Sequence, residues 1–377
     1  MSRRKEIGAR PRVYCDVNPS KAVVLAREPV AATGSGPALR PGGWDSPPPA
    51  LLPVANRPLI GHALDWLGQA GVRQVAIVAG DRLANDAREA LDCARDRALE
   101  IDWLVEGPGE SLGESLESLT GFLDGEPFVL HLADSLARES LPSLIGEEDP
   151  GDLGAIVVVH GSEEGPPSVV DIRERLGGSR GGAPPELGRS ATGGVAVLGA
   201  GVVAQASDVD AWPGRELNVL AERVNQLGGS IQIRRASSWW RFARGSDAAL
   251  EGNRFALEGL RESQPRGEII DSRIQGAVSI HPTARLESSI VRGPAVIGAG
   301  VRLRDAYVGP YTSIGHDVVI EGAEVEHSIV MPEATIRHLG GRLEASVVGP
   351  HARVFRDFRL PRALRLSVGH GAEVSLP

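Results

Sequence analysis

The sequence predicts an α/β domain followed by a left-handed parallel β-helix. Short β-rich apolar runs alternate with helical periods from residue 21 to about 262. From residue 268 no helical period survives, and apolar residues return at six-residue steps. A chain of 377 residues, with 42% hydrophobic and 24% charged residues, has the length and composition for two globular cores.

Residues 1–20 read as an N-terminal extension. KAVVLA at 21–26 suits a buried central strand, and the Gly/Pro-rich stretch 27–50 a loop. A helix follows, with Pro58 in its first turn and Gly71 at its end. Leu59, Ile60, Ala63, Leu64 and Leu67 make its apolar face. Strands are expected at 75–78, 101–105, 128–132, 155–160, 169–172, 194–198 and 230–234. Helices are expected at 84–94, 113–122, 214–227 and 247–261. This alternation implies a parallel sheet with helices on both faces. The domain so defined spans 21–262, and the repeat spans 268–377.

The repeat runs through Ile274, Ile280 and Leu286, then Ile297 and Leu303. It continues with Val308, Ile314 and Ile320, then Val330 and Ile336, and ends with Val348 and Val354. Three hexads make one triangular coil of about 18 residues, and each inward side chain stacks on the coil below. A sandwich would show two-residue alternation and hairpin turns instead.

Composition excludes several function classes. A net charge of −9 argues against a nucleic-acid partner. The longest apolar stretch, at 194–204, is too short to span a bilayer, and the Arg-rich start lacks a signal peptide's apolar region. Cys15 and Cys93 have no metal-ligand or CxxC spacing and read as unpaired thiols of a cytoplasmic protein. His281, His316, His327, His338 and His351 dot the repeat and read as polar turn residues. No Walker loop, zinc spacing or GxSxG elbow occurs.

The segment PPALLPVANRPLI at 48–60 resembles the PKxLLPVxNKPLI segment of sugar-1-phosphate nucleotidyltransferases. The run SSIVRGPAVIGAGVRLRDAYVGPYTSIGHDVVIEGAEVEHSIVM at 288–331 is similar to the tail of the long-form glucose-1-phosphate thymidylyltransferases. The resemblance covers residues 21–377. It implies a Rossmann-like nucleotidyltransferase domain, a left-handed β-helix and magnesium-dependent nucleotidyl transfer.

The resemblance also locates what is changed. The family's catalytic Lys falls at Pro49, and the chain's two lysines, Lys5 and Lys21, lie upstream. The opening LAGGxGTRLxP is matched by Leu25-Ala26, where Arg27-Glu28 replace two glycines. After an insertion, Gly34, Ser35 and Gly36 match its GxG, with Pro37 and Ala38 at its Thr and Arg. Arg40, two residues on, is the candidate to replace that Arg. A base-reading Gln falls at Glu106, which cannot donate when ionised, with a turn at Gly113, Glu114 and Ser115. The first magnesium ligand falls at Asp134, after an apolar strand; a helix N-terminal Asp is the competing reading. The second falls at Phe242, with Arg241 at the neighbouring Lys and Asp247 as a substitute requiring a rebuilt loop. A GxYxF strand falls at Gly194–Leu198, with Ala196 at its Tyr. The candidate nucleotide-binding glycines are Gly34, Gly36, Gly113 and Gly194.

Nucleotidyl transfer joins two polyanions, so its catalysis is chiefly charge neutralisation and alignment. Two readings follow. One is a non-catalytic homologue that binds a nucleotide, a nucleotide sugar, or a partner such as an active paralogue, and forms homo-oligomers. The other is an active sugar-1-phosphate nucleotidyltransferase whose rebuilt site uses Arg40, Asp134 and Asp247 with magnesium.

Overall fold

A computed structural model describes residues 19–27, 47–92, 99–107, 109–146, 149–160, 194–209, 216–242, 245–261 and 264–356. Its first half is built on β1 (Lys21–Ala26), which is buried throughout. A short hairpin of β2 (Pro53–Val54) and β3 (Arg57–Pro58) precedes α1 (Leu59–Gln69). Pro58 sits at the N-cap of α1 rather than inside its first turn. Next come β4 (Gln74–Gly80), α2 (Asp81–Asp92), β5 (Glu100–Glu106), α3 (Leu112–Ser118) and α4 (Thr120–Leu123). The single helix expected at 113–122 is thus two helices meeting at Leu119.

The chain continues with β6 (Phe128–Leu132), β7 (Ser135–Ala137), α5 (Leu141–Ile145) and β8 (Ala155–His160). Then follow β9 (Val195–Leu198), α6 (Ala200–Ala204), α7 (Glu216–Gln226), β10 (Ile231–Ala236), β11 (Trp239–Arg241) and α8 (Gly245–Leu257). The strand expected at 169–172 lies outside the described residues.

Seven strands form one sheet in the order β10-β8-β9-β6-β1-β4-β5. The sheet is not wholly parallel as the alternation implied, because β9 runs antiparallel to both β6 and β8. A strand's direction is set by its connections, and its apolar run carries no trace of it. Apolar cores cover both faces. One packs Ile60, Leu64 and Leu67 of α1 under the sheet, and the other packs Leu112, Leu116, Leu217 and Leu220 from α3 and α7.

From Gln264 onward seventeen short strands, β12 (Gln264–Pro265) to β28 (Arg353–Phe355), stack as three parallel sheets of six, six and five strands. This is the β-helix the repeat predicted. Ile280, Leu286, Ile297, Leu303, Val308, Ile314, Ile320, Val330, Ile336 and Val348 all lie in its core. Its coils are tighter than 18 residues at first. Stacked partners such as Arg285 and Glu268 are 17 residues apart, and only later pairs such as Arg342 and Glu324 are 18 apart. The shorter coil takes a five-residue step on one side, which brings Val291 and Val325 inward between the hexads.

The two halves meet in a further apolar cluster. Leu52, Val54, Leu59, Leu136 and Leu250 pack with Ile329 and Met331 of the β-helix. Asn253 on α8, fully buried, fixes this junction. Its Oδ1 accepts from the Ala55 amide at 2.8 Å and from Ser313 Oγ at 2.6 Å, and its Nδ2 donates to the Tyr311 carbonyl at 3.0 Å. The β2–β3 turn can present these groups because Ala55 and Asn56 both take left-handed backbone angles, φ 47 and 61.

Candidate functional site

Strands β1, β4, β5 and β6 point their carboxyl ends to one edge of the sheet, the edge at which open α/β sheets bind ligands. Two ion pairs occupy it.

The first joins the ends of β1 and β5. Arg27, the residue after β1, places Nε 3.0 and 3.2 Å from the two carboxylate oxygens of Glu106. Its Nη2 donates to the Glu110 carbonyl at 2.9 Å, and Ser115 Oγ donates to Glu106 at 2.5 Å. Both charged side chains are only 10% exposed. The arrangement is held by the cap of α3. Ser111 Oγ accepts from the Glu114 amide, and the Glu114 carboxylate accepts from the Ser111 amide. That amide, together with the Ser111 hydroxyl, holds Glu114 below the usual carboxylate range.

The second pair lies after β6. Asp134 starts no helix; it sits in the turn between β6 and β7. Arg241 ends β11, which pairs antiparallel with β7 and sets Arg241 opposite Ser135. From there its Nε lies 3.1 and 3.2 Å from the Asp134 oxygens and its Nη2 lies 3.2 Å from Oδ2. The Phe242 amide donates to the Asp134 carbonyl at 2.9 Å. The ring of Phe242 packs with the interdomain apolar cluster, 6.2 Å from that of Trp240.

Beneath this pair His131 is buried between Trp66 and Trp239, at ring distances of 5.5 and 6.3 Å. Burial lowers its pKa to about 4, against the opposing hydrogen bond to the Leu132 carbonyl, and Arg241 lowers it further. The imidazole is therefore neutral near pH 7.

The sequence candidates do not converge. Arg40, Gly34 and Gly36 lie outside the described residues. Asp247 is exposed on the first turn of α8, where an acidic side chain favours the helix dipole. A side chain at Gly113 would lie 1.9 Å from the Ala206 carbonyl oxygen, and the Gly113 amide already donates to Val209. Gly194 has φ +81, and a side chain there would meet Ser135 Oγ at 2.6 Å. Packing accounts for both glycines. Pro49, at the family's lysine position, opens a short 3₁₀ turn at 49–51 and carries no cation.

These residues do not fit magnesium. The ion takes near-octahedral oxygen ligands and is commonly held by one or two carboxylates plus phosphate. Here both oxygens of Asp134 face a guanidinium, Phe242 supplies only hydrocarbon, and no group of three His, Cys, Asp or Glu gathers among the described residues.

Sequence reasoning missed Arg27, Arg241 and His131 as members of the site. The signal for the first was legible: a cation at a glycine position and an anion at a glutamine position are complementary changes.

Comparison with known proteins gives a consistent result. A glucose-1-phosphate thymidylyltransferase of Streptomyces griseus is 29% identical over 348 residues, 90% of this chain and 96% of that one. A glucose-1-phosphate thymidylyltransferase of Streptomyces antibioticus is 28% identical over 357 residues, 92% of this chain and 98% of that one. Along nine-tenths of its length the chain is similar to glucose-1-phosphate thymidylyltransferases. The low-salt glycan biosynthesis nucleotidyltransferase Agl11 of Haloferax volcanii is 27% identical over 353 residues, 91% of this chain and 98% of that one. No family model matches the chain. Among the described residues, no helix of this nucleotidyltransferase relative is long and apolar enough to cross a membrane.

Proposed function

We propose that this nucleotidyltransferase relative is non-catalytic and acts by binding a nucleotide, a nucleotide sugar or an active paralogue in the cytoplasm. The observation that carries the reading is the engagement of Asp134 by Arg241, with Phe242 beside it. Transfer between two polyanions requires positive charge free to meet phosphate. At this edge two of the available cations are committed to carboxylates of the protein itself. The Arg, Lys and second metal-ligand positions hold Ala38, Pro49 and Phe242. Loss of one such group costs about 10²–10³ in rate, so several losses remove most of the acceleration even when the effects overlap.

The test is pyrophosphate release from dTTP or UTP with glucose-1-phosphate and magnesium. The expected rate is background. A clear rate that disappears in Asp134→Ala would overturn the reading.

The same reading includes a homo-oligomer formed through residues 268–377, since stacked coils offer flat faces and an end to be covered. Light scattering of the full chain at micromolar concentration is expected to give a multimer; a monomer excludes it.

A further inference from the structure

We propose that Arg241 is the resident cation of the cleft, standing where a divalent metal would otherwise stand, so that any ligand taken there is taken without one. Asp134 is the carboxylate best placed to hold a metal, at the edge of the sheet after β6. Arg241 grips it through two nitrogens at 3.1–3.2 Å, and the two side chains are only 13% and 25% exposed. A planar guanidinium matches a carboxylate in shape and stays charged at any working pH.

The backbone enforces this contact. Pairing of β11 with β7 sets Arg241 opposite Ser135, and the Phe242 amide closes on the Asp134 carbonyl. A metal would have to dislodge a cation that the strand itself puts in place, and would then sit beside that charge with little water to screen it. Among the described residues no group of three His, Cys, Asp or Glu gathers to offset this. Phe242 turns into the apolar cluster. Trp239 Nε1, buried and with no hydrogen-bond partner among the described residues, is a donor and cannot ligate a cation. Arg241 therefore satisfies Asp134 permanently, whereas a metal would come and go with its concentration.

This inference concerns the ion alone and stands whether or not turnover survives, so its test is separate from the pyrophosphate assay. Manganese is titrated into the full chain and followed by electron paramagnetic resonance. The wild type is expected to show no stoichiometric site at millimolar Mn²⁺. Phe242→Asp alone, with Arg241 in place, is expected to stay without one. The Arg241→Met/Phe242→Asp variant frees one carboxylate and adds another, and should bind one Mn²⁺ at least about tenfold tighter than the wild type. Thermal melts establish that each variant is folded. A wild-type manganese site abolished by Asp134→Asn overturns the inference, and so does a folded double variant that gains no site. If the double variant does not fold, the titrations of the wild type and of Asp134→Asn still decide.

Discussion

The cleft and the β-helix use the same arginine–carboxylate chemistry to different ends. In the cleft, Arg27–Glu106 and Arg241–Asp134 are single, mostly buried pairs that tie strand ends together. On the β-helix, Glu268, Arg285, Glu287, Arg304, Glu321 and Arg337 form a ladder up one face, with Arg304 61% exposed and Glu287 37%. The difference lies in solvent. A buried charge is satisfied only by its partner, whereas an exposed one falls back on water. The cleft pairs are consequently structural commitments, and the ladder is a by-product of stacking similar coils.

This contrast is breakable at its strong end first. Arg27→Met leaves Glu106 buried against Ser115, and should destabilise the protein by about 3 kcal/mol in urea unfolding. Adding Glu106→Gln should restore much of that loss. If the single change is neutral, the cleft pair is worth no more than a surface pair.

The second expectation concerns pH. The folded-state pKa of His131 is depressed to about 4 from an ordinary 6.5, so the unfolded chain binds the extra proton. Stability is then unaffected by this group above pH 6.5, falls as pH drops through the window to 4, and is lowest below it, by on the order of 3 kcal/mol. His131→Leu should flatten that part of the acid limb in melts between pH 7 and 4. An unchanged slope would show that the carboxylates dominate acid unfolding.

The weakest expected effect is at the ladder. Arg304→Ala removes a cation facing both Glu287 and Glu321, and should cost about 0.5 kcal/mol or less, diminishing with salt. A loss as large as that at Arg27 would erase the distinction between the two regions.

The same contrast governs what could be read from sequence. The β-helix was legible because stacking forces a period on inward side chains such as Val308, Ile314 and Ile320. The steps that admit Val291, Val325 and Leu343 fell outside the hexad. Strands β1, β6 and β8 were legible as buried runs, but the reversed direction of β9 was not. The pairing of β7 with β11 escaped notice because each is three residues long and they lie about a hundred positions apart. In the cleft, the replaced motif positions were visible at Pro49 and Phe242. Their consequence was not, since Arg27 meets Glu106 across 79 positions and Arg241 meets Asp134 across 107. A chain reveals which charges it has long before it reveals whom they face.

Asn253 carries a last consequence, for how such a molecule can change by exchange of parts. Its three partners come from the β2–β3 turn and from two places on one β-helix coil. Grafting a β-helix from a relative onto this first half would bring in foreign residues opposite Asn253 and opposite Asn56, whose side-chain amide donates to the Ile314 carbonyl. Unless they offered the same hydroxyl and carbonyls, the graft would strand polar groups in an apolar seam. The seam thus disfavours exchange of one half alone, whereas single substitutions in the cleft leave it intact.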